Sequence, residues 1–179
     1  MQPPLGHCYW ALAPLAPSPP FQIYQEGAPP REVASVEPFT EAVRKGASEF
    51  TLLTPVKVRP VLVLTPILPE YEEILALRLR RLEKMADDNG RRRVQQGEDP
   101  SLFHLRPDGF PGLPTENAAI VSSLLRLPVT ALDRRSSLGS LDENELRVVH
   151  ERVATVHRLR LDMLVLKGAQ ALVERARKS

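Results

Sequence analysis

Arginine is the residue type through which this chain could act on an anion, and its arginines are clustered. Arg59 stands before Pro60 at the mouth of an apolar run. Arg78 and Arg80 alternate with leucines, Arg81 follows, and Arg91, Arg92 and Arg93 form an unbroken triplet. A guanidinium matches two phosphate oxygens with its planar fork and does not lose its proton in a protein. Trp10 and Tyr9 offer flat faces on which bases could stack, although a Trp in a first strand is more often core. Hydroxyls are few in the strand-like runs. Thr65 precedes a proline, where a turn residue is the ordinary reading, and Ser122 and Ser123 sit together in a second apolar run. The acids at 87, 88, 98 and 99 surround the arginine triplet, so a solvated loop is its plain alternative.

Other chemistries find less support. The histidines are His7, His104, His150 and His157, and only the last two are near one another, seven apart and beside no cysteine. That is not a usual zinc spacing, so no metal and no cofactor are expected. Cys8 is the only cysteine, which rules out an internal disulfide and fits a reducing compartment. No stretch of eighteen apolar residues is present, and the N-terminus lacks the basic segment of a secretory signal. A cytoplasmic protein that does not enter the membrane is the expectation. The net charge of +2 does not by itself demand a nucleic-acid partner, so any anion-binding surface must be local.

Positioning these residues requires a folded core. A chain of 179 residues with 42% hydrophobic content can build one without staples, and with aromatics at 5% Leu, Val, Ile and Ala must fill it. Thirteen of the eighteen prolines fall before residue 70. They argue against a regular helix or a central strand over 13–37 and suggest a long, partly extended surface loop. Residues 7–12 read as a strand, 37–47 as a short helix, and 58–65 as a buried strand with its proline at the entrance. Residues 74–82 fit both a strand and a helix, and the alternation of Leu and Arg favours strand over the first half. Residues 86–100 lack an apolar period and read as an exposed loop. Short strands are expected at 102–106 and 118–125, with a further apolar stretch over 127–132. Ser140 and Glu143 spell a capping box before an amphipathic helix over 141–159, and a second helix is expected over about 162–177.

Several of these segments resemble the PemK/MazF toxin family. Gly6-His7-Cys8-Tyr9-Trp10-Ala11-Leu12 is similar to its opening strand, with His7 where the family has Asp. Val58-Arg59-Pro60-Val61-Leu62-Val63-Leu64 looks like its second strand. Residues 112–121 and 127–133 resemble its paired late strands, and Leu138 to Leu146 resembles the entry to its last helix. The matches keep the family's order and bracket residues 6 to about 159. The resemblance implies a mainly-β α+β fold: a small SH3-like closed barrel over 1–160 with a long Pro-rich loop at 13–57. A C-terminal amphipathic helix and an extra helical extension over 161–179 complete it.

The same resemblance implies a metal-independent endoribonuclease toxin that cleaves single-stranded RNA by attack of the 2′-OH. Its partners would be mRNA and a small antitoxin protein, and its state a homodimer. Arg59 occupies the position of the family's essential arginine, Glu49 follows a Gly-Ala-Ser similar to its Gly-Ser-Glu, and Thr65 closes the Arg59 strand. RNA contact falls to Arg78, Arg80, Arg81 and Trp10. The run 74–82, where the family carries an assisting Ser or Thr, has no hydroxyl. A relative that binds RNA or a protein without cleaving is therefore the alternative, and an unrelated α+β domain is a third.

Overall fold

The computed structural model describes residues 3–15, 20–24, 29–35, 51–66 and 72–157. Its strands are β1 (His7–Pro14), β2 (Phe21–Tyr24), β3 (Arg31–Val33), β4 (Thr51–Leu53), β5 (Val56–Val63), β6 (Glu73–Arg81), β7 (Leu102–Leu105), β8 (Asn117–Pro128) and β9 (Gly139–Ser140). Two α-helices, α1 (Asp88–Gln95) and α2 (Glu143–Val156), and short 3-10 turns at Leu82–Lys84 and Val129–Ala131 complete the described elements. The chain divides into two units, Met1–Ala11 with Arg59–Ser179, and Leu12–Val58.

The larger sheet has the order β7-β8-β6-β5-β1-β9, with β7–β8, β8–β6, β6–β5 and β1–β9 antiparallel. Alternation explains its burial. Along β6, Leu77 and Leu79 enter a core with Leu62 from β5, Cys8 from β1, and Ala119 and Val121 from β8. Val149 and Val153 of α2 pack into the same cluster, because the apolar residues recur every three or four positions along that helix. Each fully buried Leu or Val contributes about 1.5–3 kcal/mol. Val61, Val63, Ile74 and Ala76, which alternation directs to the other face, are fully buried as well.

The mainly-β expectation with helices holds, but the sheet does not close strand to strand among the described residues. Its ends, β7 and β9, are joined instead by the turn after β7. The Ser140 amide donates to Gly109 O at 3.0 Å and the Gly112 amide to Leu138 O at 3.0 Å. Phe110 and Leu138 are buried beneath this seam. Two glycines allow the backbones to approach so closely. A Cβ on Gly112 would lie 2.7 Å from Leu138 Cα, and one on Gly139 would lie 2.3 Å from Gly109 O.

The register of β6 on β8 slips. Leu77 pairs with Leu124, but Leu79 pairs with Ala119, so two steps along β6 match five along β8. The three surplus residues include Ser122 and Ser123, at the point where β8 changes which residues face the core.

Three sequence expectations need correction. Residues 13–37 hold a central strand after all: β2 lies between β3 and β4 in a three-stranded sheet of the smaller unit. Its residues 21–24 fall between Pro20 and Pro29 and keep every ladder donor. Within 86–100 the chain forms α1 rather than a loop. The Asp87 carboxylate accepts from the Asn89 and Gly90 amides at 3.0 and 2.9 Å, and Val94 is buried against Leu82, Leu102 and Ala118. The capping box lies two residues later than expected, with Asp142 accepting from the Glu145 amide at 2.8 Å and Glu145 from the Asp142 amide at 3.0 Å. The helices expected over 37–47 and 162–177 lie outside the described residues.

Candidate functional site

The arginines expected to meet RNA divide by the face on which their strands present them. Arg78 on β6 is partnered by Val61 on β5. Because Leu77 and Leu79 point into the core, Arg78 and Arg80 point away from it. Two residues before Val61, Arg59 returns to that same face. Arg59 and Arg80 are exposed and Arg78 is half-buried. By alternation Arg59, Arg78 and Arg80 fall on one side of β5 and β6, the side that also carries the buried Val61 and Ala76. Arg81 does not join them. It pairs across with Asn117, and its Nη1 lies 3.5 Å from Glu83 Oε1.

The remaining expected site residues are placed differently. Thr65 lies beyond β5, where its Oγ1 accepts a 2.8 Å hydrogen bond from the Leu75 amide of β6. Arg59 lies within β5, six positions earlier in the chain. Trp10 is half-buried and packs against the inner core. Glu49 lies outside the described residues. Of the arginine triplet, Arg91 turns back to Met85 O at 3.3 Å, while Arg92 and Arg93 are exposed on α1.

The histidines are engaged in structure. His150 Nε2 lies 3.0 Å from Leu64 O and His157 Nε2 lies 3.3 Å from Val121 O, and both tie α2 to the sheet. His104 Nε2 lies 2.6 Å from Glu116 Oε1, and Gln95 donates to both Glu116 oxygens at 3.0 and 3.1 Å. That cluster joins α1, β7 and the approach to β8, and nothing in the spacing of 95, 104 and 116 announced it. Also missed was the side chain of Arg152. It donates to Asp99 O and Leu102 O at 3.0 Å and to Gly97 O at 2.8 Å, and lies 5.6 Å from the centre of the Phe103 ring.

No protein-family profile matches the sequence, and no curated protein matches it. Solved structures of similar shape do exist. One is an endoribonuclease in complex with its cognate antitoxin from mycobacterial species, with 12% identity and a TM-score of 0.45, covering 88% of this chain and 96% of that one. Another is the Mycobacterium tuberculosis toxin MazF-mt6, with 17% identity and a TM-score of 0.42, covering 57% of this chain and 89% of that one. At these scores the likeness bears on no residue's role.

Proposed function

We propose that this chain is an endoribonuclease of the PemK/MazF kind that lays single-stranded RNA across the Arg59, Arg78 and Arg80 face. What supports the reading is strand alternation, which puts Arg59, Arg78 and Arg80 on the same side of β5 and β6. Phosphate contacts of this type hold a strand without reading its sequence. In the reaction the 2′-OH attacks the adjacent phosphorus and the bond to the 5′-oxygen breaks, leaving a 2′,3′-cyclic phosphate and a 5′-hydroxyl. Arg59 donates to the phosphoryl oxygens as their charge grows, and Glu49 is the acid–base group in this reading. No step requires a metal. The partners that complete the proposal are an antitoxin protein and a second copy of the chain.

The test is cleavage of a defined single-stranded RNA in excess chelator, with the new termini mapped. Arg59→Ala lowers the rate by about 10²–10³, the usual loss for one preorganised donor. Arg59→Lys restores little, because an ammonium lacks the planar fork. A chain that neither cuts nor binds RNA refutes the proposal.

The commitment of the Thr65 hydroxyl to the Leu75 amide favours a second reading. There the arginine face binds RNA without cutting it, and RNA retained intact in an Arg59-dependent complex identifies that outcome.

A further inference from the structure

Away from the arginine face, a cleft of about 440 Å³ opens where the start of the chain meets the segment before β9. Pro3, Pro4, Tyr9 and Leu132 supply apolar walls, and Asp133, Arg134 and Arg135 supply the polar ones. The volume falls in the range of small-molecule sites, roughly 300–1,000 Å³.

The walls are held in place. Asp133 donates its amide to Trp10 O at 2.8 Å, and Ala11 bridges Leu132, so the polar segment is fastened along β1. Tyr9 is 6% exposed and stacks on His7 with ring centres 6.3 Å apart, while His7 Nδ1 lies 3.1 Å from Ser137 Oγ. Arg135 and Asp133 pair with each other at the mouth of the cleft. Arg135 Nε donates to Asp133 Oδ1 at 2.8 Å and Nη2 donates to Oδ2 at 2.7 Å. Those bonds use two of the guanidinium's five N–H donors and leave the others for a ligand. They also hold the Asp133 carboxyl down to about 2, so it is an acceptor at any ordinary pH.

We propose that this cleft is a nucleotide subsite, taking one planar base against Tyr9 and the prolines and its phosphate on Arg134 and Arg135. The proposal rests on the RNA reading above and extends it to a second point of contact. A ring fits flat apolar walls, the N–H edge of a base suits a carboxylate acceptor, and a phosphate suits guanidinium donors. A simple anion would leave the apolar walls unfilled. A chain of acidic side chains would bring no ring to those walls.

The test uses the full chain and a single-stranded RNA ten-mer carrying 4-thiouridine. In the wild type, photocrosslinks map to residues 3–10 or 132–135, and the exposed pair Arg134→Ala/Arg135→Ala abolishes them. The same double variant weakens RNA binding about tenfold and raises KM while leaving kcat nearly unchanged. Arg59→Ala does the reverse, losing kcat and keeping the crosslinks. Crosslinks that map elsewhere, with unchanged affinity in the double variant, overturn the subsite and leave the nuclease reading intact. If the wild type does not bind the ten-mer, nucleoside monophosphates are titrated by NMR. Shifts at Tyr9 and residues 133–135 then sustain the subsite without the nuclease, and no shifts overturn both.

Discussion

Replacing Gly139 by Ala should be among the most damaging single-methyl additions in the chain. Gly139 has φ +138°, a conformation that L side chains avoid. The new Cβ would stand 2.3 Å from Gly109 O and 2.4 Å from Phe110 Cα, and both contacts are backbone that cannot swing aside. Relief requires the turn after β7 to withdraw by about 1 Å, against interiors packed tightly enough to feel one methylene. That movement breaks the 3.0 Å bonds from Ser140 to Gly109 and from Gly112 to Leu138. Each bond contributes about 0.5–1.5 kcal/mol, and holding Ala in such a conformation costs about 1–3 kcal/mol. Partial exposure of Phe110 and Leu138 adds to this, so the expected loss is about 3–5 kcal/mol. Urea unfolding of the variant beside wild type measures it. Gly97→Ala is the control: its φ is +76°, but the nearest atom to a Cβ is the Arg152 guanidinium at 3.8 Å. It should lose only about 1–2 kcal/mol. A Gly139→Ala loss no larger than that of the control would refute the idea that close backbone approach closes the sheet.

Two further perturbations test other parts of the structure. Arg152→Met keeps most of the stem but removes three hydrogen bonds to backbone carbonyls and the cation over Phe103. It should lower stability by about 2–4 kcal/mol in the same unfolding assay, and a change below about 0.5 kcal/mol would show that solvent replaces those bonds. Cys8 is fully buried, and burial pushes its thiol from 9.0 up to about 12. The native chain keeps a proton that the unfolded chain releases above 9.0, so this contribution to stability is intact below that pH and is lost as pH rises toward about 12. At pH 8 a thiol reagent should label native protein far more slowly than protein in denaturant, and equal rates would contradict the burial.

Several elements were legible because one strong signal governed them. The apolar run behind Pro60 became β5, and the spacing of Leu146, Val149 and Val153 became α2. The alternation of Leu and Arg in β6 sets Leu77 and Leu79 toward the core and Arg78 and Arg80 away from it. Helix α1 was hidden because it buries only Val94, too few apolar positions to make a period. The misplaced cap arose from two overlapping patterns, Ser140 with Glu143 and Asp142 with Glu145, of which tertiary packing selects the second. The bond from the Leu75 amide to the Thr65 hydroxyl was not legible, because it joins residues ten apart that meet only in the fold. The cleft at Tyr9 was illegible for a different reason: residues 132–135 reach β1 across more than 120 positions of sequence, and no local pattern encodes that meeting.

The slip in β8 has a consequence for how this chain can change. In most strands, losing one residue turns every later side chain to the wrong surface. Here the longest strand already shifts phase at Ser122 and Ser123, so the lengths before and after that point keep separate registers. The slack acts as a joint at which the spacing of one segment can drift without dictating the orientation of the other.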